Sequence, residues 1–356
     1  VTILRHLTAD LVRDFGVTVL SYDPPAPGHD NVRQVSVSAP QAALWPVAPL
    51  VRAKHLVNAV PASEIGAADL VVALDCHFVL LLGHAIPRRL LYLSLSCIPR
   101  QEWFASRGIA AALFFVQYAF LERRLAKFAA AVLVSSATHS AELRRFERLQ
   151  SLKPFVIYPV FPLYESTIRS KPAGTTTILC TGRLAPGKNY QSVIELASRL
   201  IDLDCRFIIA GDGSERERLE AQTVAAGLSD RVVFTGQITD IAPLLSSADI
   251  FLHPSRYESF GISVFEAMRA GVPPVCSSTA VSGIREFLED GVNSTLVDFG
   301  LPDQVASALR ELISSRARRK SIGAAARSTA AQILTRDYVA EFRRVMSMVG
   351  IEAPMR

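Results

Sequence analysis

The sequence predicts an α/β protein with two domains, each built on a parallel sheet. Short apolar runs at residues 68–74, 90–95 and 206–210 alternate with helical patterns, which is typical of parallel strands covered on both faces. This alternation occurs twice, and the two series are separated by a stretch with Pro and Gly at residues 161–175. A chain of 356 residues also exceeds one ordinary domain. We therefore expect two Rossmann-like domains.

The stretch with Pro and Gly sets the expected domain boundaries. Residues 1–160 form the first domain, residues 161–175 the linker and residues 176–335 the second domain, with a last helical segment at residues 336–356. The chain opens on a helical pattern at residues 1–15, ahead of the first strand pattern. We therefore expect the first domain to lack a strand before its first helix.

Composition and patterning argue against a membrane-spanning, secreted, zinc-binding or nucleic-acid-binding protein. No apolar run reaches the ~18 residues of a membrane-spanning helix, and no signal peptide is visible. Five scattered Cys without paired spacing favour a reducing compartment and argue against zinc. Most of the net charge of +5 lies in the first half, which suits anionic headgroups or acidic acceptors as well as an ordinary Arg-rich surface. No basic pattern with interleaved aromatics indicates nucleic acid.

Residues 101–131 are the most amphiphilic segment. Aromatic side chains such as Trp103 and Tyr118 precede a basic cluster of Arg123, Arg124 and Lys127. A helix with this pattern suits a membrane interface. The alternative interpretation is a long helix packed on the sheet.

The residues best suited to chemistry concentrate in residues 251–271, FLHPSRYESFGISVFEAMRAG. Glu258 and Glu266 lie eight positions apart, the first in a loop after a buried strand and the second about a turn inside a helix. Between them, the free N–H groups of the helix start suit an anion. This order of groups suits the hydroxyls of a sugar, a diphosphate and a ribose diol.

A second stretch places two cations after a strand. Gly182 allows a tight turn and a close approach to a ligand, while Arg183 offers a planar fork and Lys188 a compact charge. The turn Gly211-Asp212-Gly213 ends the next strand and is interpreted as mainly structural.

These blocks together resemble the retaining family 4 (group 1) glycosyltransferases, with their E-x7-E, G-R-L-x-x-x-K and G-D-G patterns. The resemblance covers residues 17–345 and is dense from 177 to 298. It implies the GT-B architecture, in which two Rossmann-like domains face a cleft and the C-terminal helix returns to the first domain. In that family a strand and a Gly-rich loop precede the first helix. Both are missing here, so we expect a sequence truncated at its N-terminus.

The resemblance implies a role for each matching residue. Glu258 would contact the donor sugar, while Arg183 and Lys188 would hold the diphosphate, where negative charge develops as the leaving group departs. These three are the catalytic candidates. The donor-binding candidates are Gly182, Phe260, Gly261, Ile262 and Glu266, with Glu266 on the ribose diol.

The first domain departs from the family pattern. Many relatives carry a His in the loop after the strand at residues 90–95, where this chain has Ser96 and Arg100. The acceptor-side candidates are therefore His77, Ser96 and Arg100, although a lone His at a strand end is more often structural. In the second domain, Ser282 and Arg285 replace the first Gly and the Pro of the family's Gly-Gly-Ile-Pro-Glu.

We therefore expect a retaining hexosyltransferase that uses a UDP- or GDP-linked sugar and a glycan or lipid-linked acceptor, in cell-surface polysaccharide synthesis. The expected location is cytoplasmic, with peripheral contact at the inner face of the membrane. No metal site, no cofactor beyond the nucleotide sugar and no nucleic-acid partner are expected. Two alternatives stay open: a nucleotide-sugar-binding homologue without catalysis, and a non-hydrolysing sugar-nucleotide epimerase.

Overall fold

The computed structural model divides the chain into two compact units. Residues 1–162 and 337–356 form the first unit, and residues 163–336 form the second. The division falls at the start of the predicted linker, and the last segment of the chain groups with the first unit. The structure describes residues 17–21, 32–36, 54, 58, 61–68, 71–73, 90–94, 129–144, 154–158, 174–334 and 338–350.

The described strands of the first unit form two parallel sheets. Their elements are β1 (Val17–Ser21), β2 (Val32–Ser36), α1 (Ala62–Ala67), β3 (Val71–Ala73), β4 (Leu90–Ser94), β5 (Ala129–Val134), α2 (Ala137–Arg144) and β6 (Pro154–Val156). β1 pairs with β2, and the other four strands follow the order β3-β4-β5-β6. The helix predicted at residues 1–15 and most of residues 101–131 lie outside the described residues.

The second unit contains a larger parallel sheet. Its elements up to the candidate site are β7 (Thr176–Thr181), α3 (Gln191–Arg199), β8 (Cys205–Ala210), α4 (Arg216–Ala225), β9 (Val232–Gly236), α5 (Ala242–Ser247), β10 (Ile250–His253), β11 (Tyr257–Glu258) and α6 (Ile262–Arg269). They are followed by β12 (Pro274–Ser277), β13 (Val281–Ser282), β14 (Thr295–Val297), α7 (Pro302–Ser314) and α8 (Arg316–Leu334). Two 3-10 helices lie at Pro186–Lys188 and Gly283–Phe287. The last helix, α9 (Tyr338–Met348), belongs to the first unit.

The strand order of this sheet places β10 in its middle. Within residues 174–334 the order is β14-β12-β10-β7-β8-β9, and every pairing is parallel. Strands β7, β8, β10 and β12 therefore end at the same edge, so the loops that follow them meet there. In open α/β sheets this edge is where ligands bind.

The core of the second unit follows from its apolar strands. Ile178, Phe207 and Leu252 are fully buried, and the amphipathic helix α3 covers the sheet with one apolar face. Burial of this area from water supplies most of the stabilisation. The cysteines of this unit, Cys180, Cys205 and Cys276, are free and buried.

Helix α8 supports the end of α6 through a contact between glycines. A Cβ on Gly323 would overlap the carbonyl oxygen of Gly271, which follows α6. Further along α8, Asn293 Nδ2 donates to Thr329 Oγ1 at 3.0 Å, and Asn293 is itself buried. The backbone of α6 is therefore fixed from behind by α8. Within the described residues, no helix is both long enough and apolar enough to cross a membrane.

Candidate active site

The loop after β7 is attached to the loop after β10. The backbone N–H of Arg256 donates to the carbonyl oxygen of Gly187 at 3.0 Å. A Cβ on Gly187 would overlap the ring of Tyr257, so only glycine allows this approach with the ring in place. The two loops thus meet in a fixed register, and each carries a charged residue at the next position along its chain.

Those charged residues are Lys188 and Glu258, which form an ion pair. Lys188 Nζ contacts Glu258 Oε1 although 70 residues separate them in sequence. Both side chains are largely buried, with 22% and 16% of their area exposed. Glu258 ends the short strand β11, and its register partner in β13 is Ser282. Glu258 was predicted to lie in an irregular loop, and the β11–β13 pairing fixes its backbone instead.

A third group, His253, also contacts the Glu258 carboxylate. His253 is the last residue of the central strand β10, and its Nε2 lies 3.3 Å from Glu258 Oε1. The ring is buried, 6.2 Å from the ring of Phe251 and nearly parallel to it. The site therefore places one carboxylate between an ammonium and an imidazole.

The neighbours of Glu258 control its charge. Burial alone raises the pKa of this carboxyl, but the contacts with His253 and Lys188 outweigh burial and hold the pKa at about 2. Glu258 is therefore ionised at neutral pH, where it can only accept hydrogen bonds.

Helix α6 begins at a glycine in the left-handed region. Gly261 has φ 105°, and its carbonyl oxygen accepts from the N–H groups of Val264 and Phe265 at 3.1 Å. The N–H groups of Ile262 and Ser263 donate no hydrogen bond within the described part of the chain, so they suit an anion. Phe260 is buried and does not offer its ring to a ligand.

Glu266 lies one turn inside α6 in a different environment. Burial raises the pKa of its carboxyl to about 7, and nearby Arg269 offsets only part of that shift. Its side chain has no hydrogen-bond partner among the described residues. A half-buried carboxyl without a partner costs free energy unless a ligand satisfies it.

The other predicted residues of the second unit lie in the loop after β7. The N–H of Gly182 donates to Ala210 at 3.0 Å, and a Cβ on Gly211 would overlap the carbonyl oxygen of Gly182, so this loop packs on the G-D-G turn. Arg183 is exposed and forms no ion pair among the described residues. The structure thus brings Lys188 to Glu258, but does not bring Arg183 to that pair. The acceptor-side candidates His77, Ser96 and Arg100 lie outside the described residues.

The sequence contains one Asp-x-Asp triplet, a carboxylate pattern that can bind a divalent cation, at Asp202 and Asp204. It lies between α3 and β8, at the edge of the sheet where β8 begins, so it is remote from the strand ends that carry Glu258. Asp202 is exposed and forms a bidentate ion pair with Arg310 at 2.6 and 2.7 Å. The described residues contain no group of three His, Cys, Asp or Glu arranged to hold a metal ion.

Two residues of the site, His253 and Gly187, were not among the candidates identified from the sequence. The available signal for His253 was its position, since it ends the strand that leads directly to Glu258. Gly187 follows a Pro, and this pattern is typical of many turns. Nothing in the sequence indicated that the ring of Tyr257 would pack against Gly187.

Known proteins resemble part of this chain in sequence. Residues 165–329 match the family model of the group 1 glycosyl transferases. The lipopolysaccharide core biosynthesis glycosyltransferase LpsE of Rhizobium meliloti is 28% identical over 170 residues, which cover 48% of this chain and 49% of that relative. The chain spans about half the length of the curated relatives it matches, or less.

Solved structures resemble the chain over most of its length. Sucrose-phosphate synthase from Thermosynechococcus elongatus has a TM-score of 0.79 at 19% identity, covering 97% of this chain and 90% of that chain. Anabaena HepE, solved with UDP-glucose, has a TM-score of 0.71 at 21% identity, covering 94% and 98%. At these identities the similarity shows the fold. Residues 165–329 therefore match the group 1 glycosyl transferase family, in a chain that has the GT-B fold.

Proposed function

We propose that the chain is a retaining glycosyltransferase that moves a hexose from a UDP- or GDP-linked sugar to a glycan or lipid-linked acceptor. The observation that carries the proposal is the contact of Lys188 with Glu258. It places a cation and a permanently ionised carboxylate together at the carboxyl ends of parallel strands, beside the start of α6. A second carboxyl, Glu266, lies one turn along that helix.

The donor fits these groups in order. The diphosphate lies at the start of α6, against the N–H groups of Ile262 and Ser263, with Lys188 as its cation. Arg183 reaches the diphosphate from the exposed loop after β7. The ribose diol donates two hydrogen bonds to Glu266, which a half-buried carboxylate without a partner among the described residues is suited to accept. The hydroxyls of the sugar contact Glu258.

The reaction breaks the bond between the anomeric carbon and the phosphate oxygen, and the electron pair leaves with the diphosphate. Lys188 and Arg183 stabilise the charge that develops there. The acceptor hydroxyl forms its new bond on the face that the diphosphate leaves, and its proton passes to the departing phosphate oxygen. Glu258 stabilises the positive charge of the oxocarbenium-like transition state, so no covalent sugar–enzyme intermediate forms.

The substrate class is supported by the relatives. LpsE acts in lipopolysaccharide core biosynthesis, and HepE binds UDP-glucose. We extend to this chain a nucleotide-sugar donor and an acceptor from cell-surface glycan synthesis.

The reaction needs no divalent cation, since Lys188, Arg183 and the helix start supply the positive charge. Peripheral membrane contact through residues 101–131 stays a prediction, because most of that segment lies outside the described residues.

The decisive experiment compares the unmodified protein with Glu258→Ala. UDP-glucose and GDP-mannose are offered without acceptor, and slow donor hydrolysis is followed by release of nucleotide. Hydrolysis should vanish in Glu258→Ala, while the affinity for UDP or GDP changes by less than about threefold. Glu217→Ala, at an exposed position of α4, serves as the control and keeps the rate of the unmodified protein.

Three results would contradict the proposal. Undiminished hydrolysis in Glu258→Ala removes Glu258 from the mechanism. A trapped sugar–enzyme adduct, detected by mass spectrometry of the intact protein, refutes the same-face attack. Loss of activity in a chelator that manganese restores refutes the metal-free reaction.

A further inference from the structure

The Nε2 nitrogen of His253 is buried beside the Glu258 carboxylate. Nε2 lies 3.3 Å from Glu258 Oε1 and makes no well-formed hydrogen bond within the described part of the chain. Leaving a buried polar atom in this state costs free energy, so such an atom calls for a functional explanation. Since the Glu258 carboxylate can only accept, Nε2 is the nitrogen that carries a proton.

The imidazole is held more firmly than the carboxylate it faces. β10 pairs with β7 on one side and with β12 on the other. The His253 ring is buried and lies against the ring of Phe251. Glu258, by contrast, belongs to a strand of two residues. The Glu258 carboxylate is therefore the partner that can adjust its position.

Lys188 has two anionic partners to serve in the proposed reaction. In the free protein it is paired with Glu258, whereas the donor brings a diphosphate that carries more charge. The lysine ammonium is a point charge on a flexible stem, so it can turn from one anion to the other. When it does so, Glu258 loses its cation in a largely buried place, where an unpaired carboxylate is strongly disfavoured.

We propose that His253 is a positioning residue that holds the Glu258 carboxylate when Lys188 turns from Glu258 to the diphosphate of the bound donor. This inference rests on the proposed function. Nε2–H then donates to Oε1 at a shorter distance than in the free protein. The imidazole keeps the Glu258 carboxylate ionised and directed at the sugar while Lys188 neutralises the charge of the leaving group.

The test compares His253→Phe, which keeps a ring and removes the donor, with His253→Gln, which keeps an N–H donor. The hydrolysis of UDP-glucose or GDP-mannose is measured, whichever the unmodified protein turns over. We expect kcat to fall about 10- to 100-fold in His253→Phe with KM within about threefold, and His253→Gln to recover at least part of kcat. Cys276→Ala is the matched control, because Cys276 is the register partner of His253 on β12.

A double-mutant cycle separates positioning from a merely structural effect. In a Glu258→Gln background, His253→Phe should cause no further loss of residual turnover. Independently of activity, carbon-13 NMR of the Glu258 carboxyl with UDP or GDP bound should show a higher pKa in His253→Phe than in the unmodified protein.

Full kcat in His253→Phe, an equal loss in the Glu258→Gln background, or an unchanged Glu258 titration would each overturn the inference. If His253→Phe fails to fold, His253→Gln takes its place in the cycle. The ratio of its kcat to that of the unmodified protein is then compared with and without Glu258→Gln. If instead the unmodified protein binds neither UDP nor GDP and hydrolyses neither donor, the proposed function itself is overturned.

Discussion

Glu258 and Glu266 lie eight residues apart, yet the pKa values of their carboxyl groups are shifted in opposite directions. The pKa of Glu258 is held at about 2, because His253 and Lys188 outweigh its burial. The pKa of Glu266 is raised to about 7, because burial meets only a partial offset from Arg269. One short segment thus presents a permanent anion and a carboxyl that changes charge near neutral pH.

The first prediction concerns the pH dependence of nucleotide binding. Glu266 must be ionised to accept both ribose hydroxyls, so affinity for UDP or GDP should rise from pH 6 to pH 8 as the carboxyl loses its proton. Glu266→Gln should bind more weakly at pH 8 and show a flatter profile. Isothermal titration calorimetry at several pH values measures this, with exposed Glu217→Gln as the control. An identical slope in Glu266→Gln would assign the pH dependence to another group.

A second prediction concerns the stability of the free protein. Because the folded-state pKa of Glu266 is raised from 4.5 to about 7, the folded chain retains a proton that the unfolded chain releases. The resulting stabilisation is fully present below pH 4.5 and is lost as pH rises through about 7. At 1.36 kcal/mol for each pKa unit it amounts to about 3 kcal/mol at most.

Glu266→Gln cannot ionise, so it should avoid this loss. Urea unfolding at pH 5 and pH 8 should show the variant gaining stability relative to the unmodified protein as pH rises. A constant difference between the two proteins at both pH values would show that Glu266 has an ordinary pKa in the folded state.

The third prediction tests the cation of the site. Lys188→Met keeps much of the apolar stem and removes the charge. A hydrogen bond to a charged group contributes about 1.5–3 kcal/mol, so the affinity for nucleoside diphosphate should fall about 10- to 100-fold. Lys320→Met, at an exposed position of α8, is the control and should bind normally. Equal affinities for the two variants would place the diphosphate away from Lys188.

The fourth prediction tests how the two loops meet. Gly187→Ala should displace the ring of Tyr257, and with it the strand that carries Glu258, at a cost of about 1–3 kcal/mol. Donor hydrolysis should fall with it. Adding Tyr257→Ser removes the ring and should restore part of the stability, since Gly187 has no positive φ to strain the alanine. Gly174→Ala, where a Cβ would meet nothing, is the neutral control. Failure of Tyr257→Ser to restore stability would show that the ring is not the obstacle.

A fifth prediction sets helix propensity against packing. Gly323→Ala should favour α8 by about 1 kcal/mol from propensity alone. The new Cβ, however, would overlap the backbone of Gly271, which has no flexible end to move. We expect the overlap to win and the melting temperature to fall. A higher melting temperature in Gly323→Ala would mean that α6 and α8 separate without cost.

Much of the second unit could be predicted from sequence because its signals are local. β8 and β10 are mostly apolar, and α3 has a clear helical period. β11 could not be predicted, since a strand of two residues has no period and its partner β13 lies more than 20 residues later.

The site was predictable only in part for a similar reason. The residue types and spacing of Lys188, Glu258 and Glu266 indicated a diphosphate and two sugar rings, but spacing does not determine which side chains touch. The contact of His253 with Glu258 depends on how a three-residue turn folds back over the end of β10, and the clearance at Gly187 depends on a ring from another loop. Both arise from tertiary packing, which leaves no local pattern.

The glycine contact between α8 and the end of α6 also determines how much polypeptide a donor site of this kind requires. A fragment that stops after β14 would contain every charged group proposed to contact the donor, yet it would lack the helix that packs against the end of α6. Shortened versions intended for ligand screening should therefore extend through Leu334. A loss of nucleotide affinity on earlier termination would reflect the missing support of α6, since every group that contacts the donor would still be present.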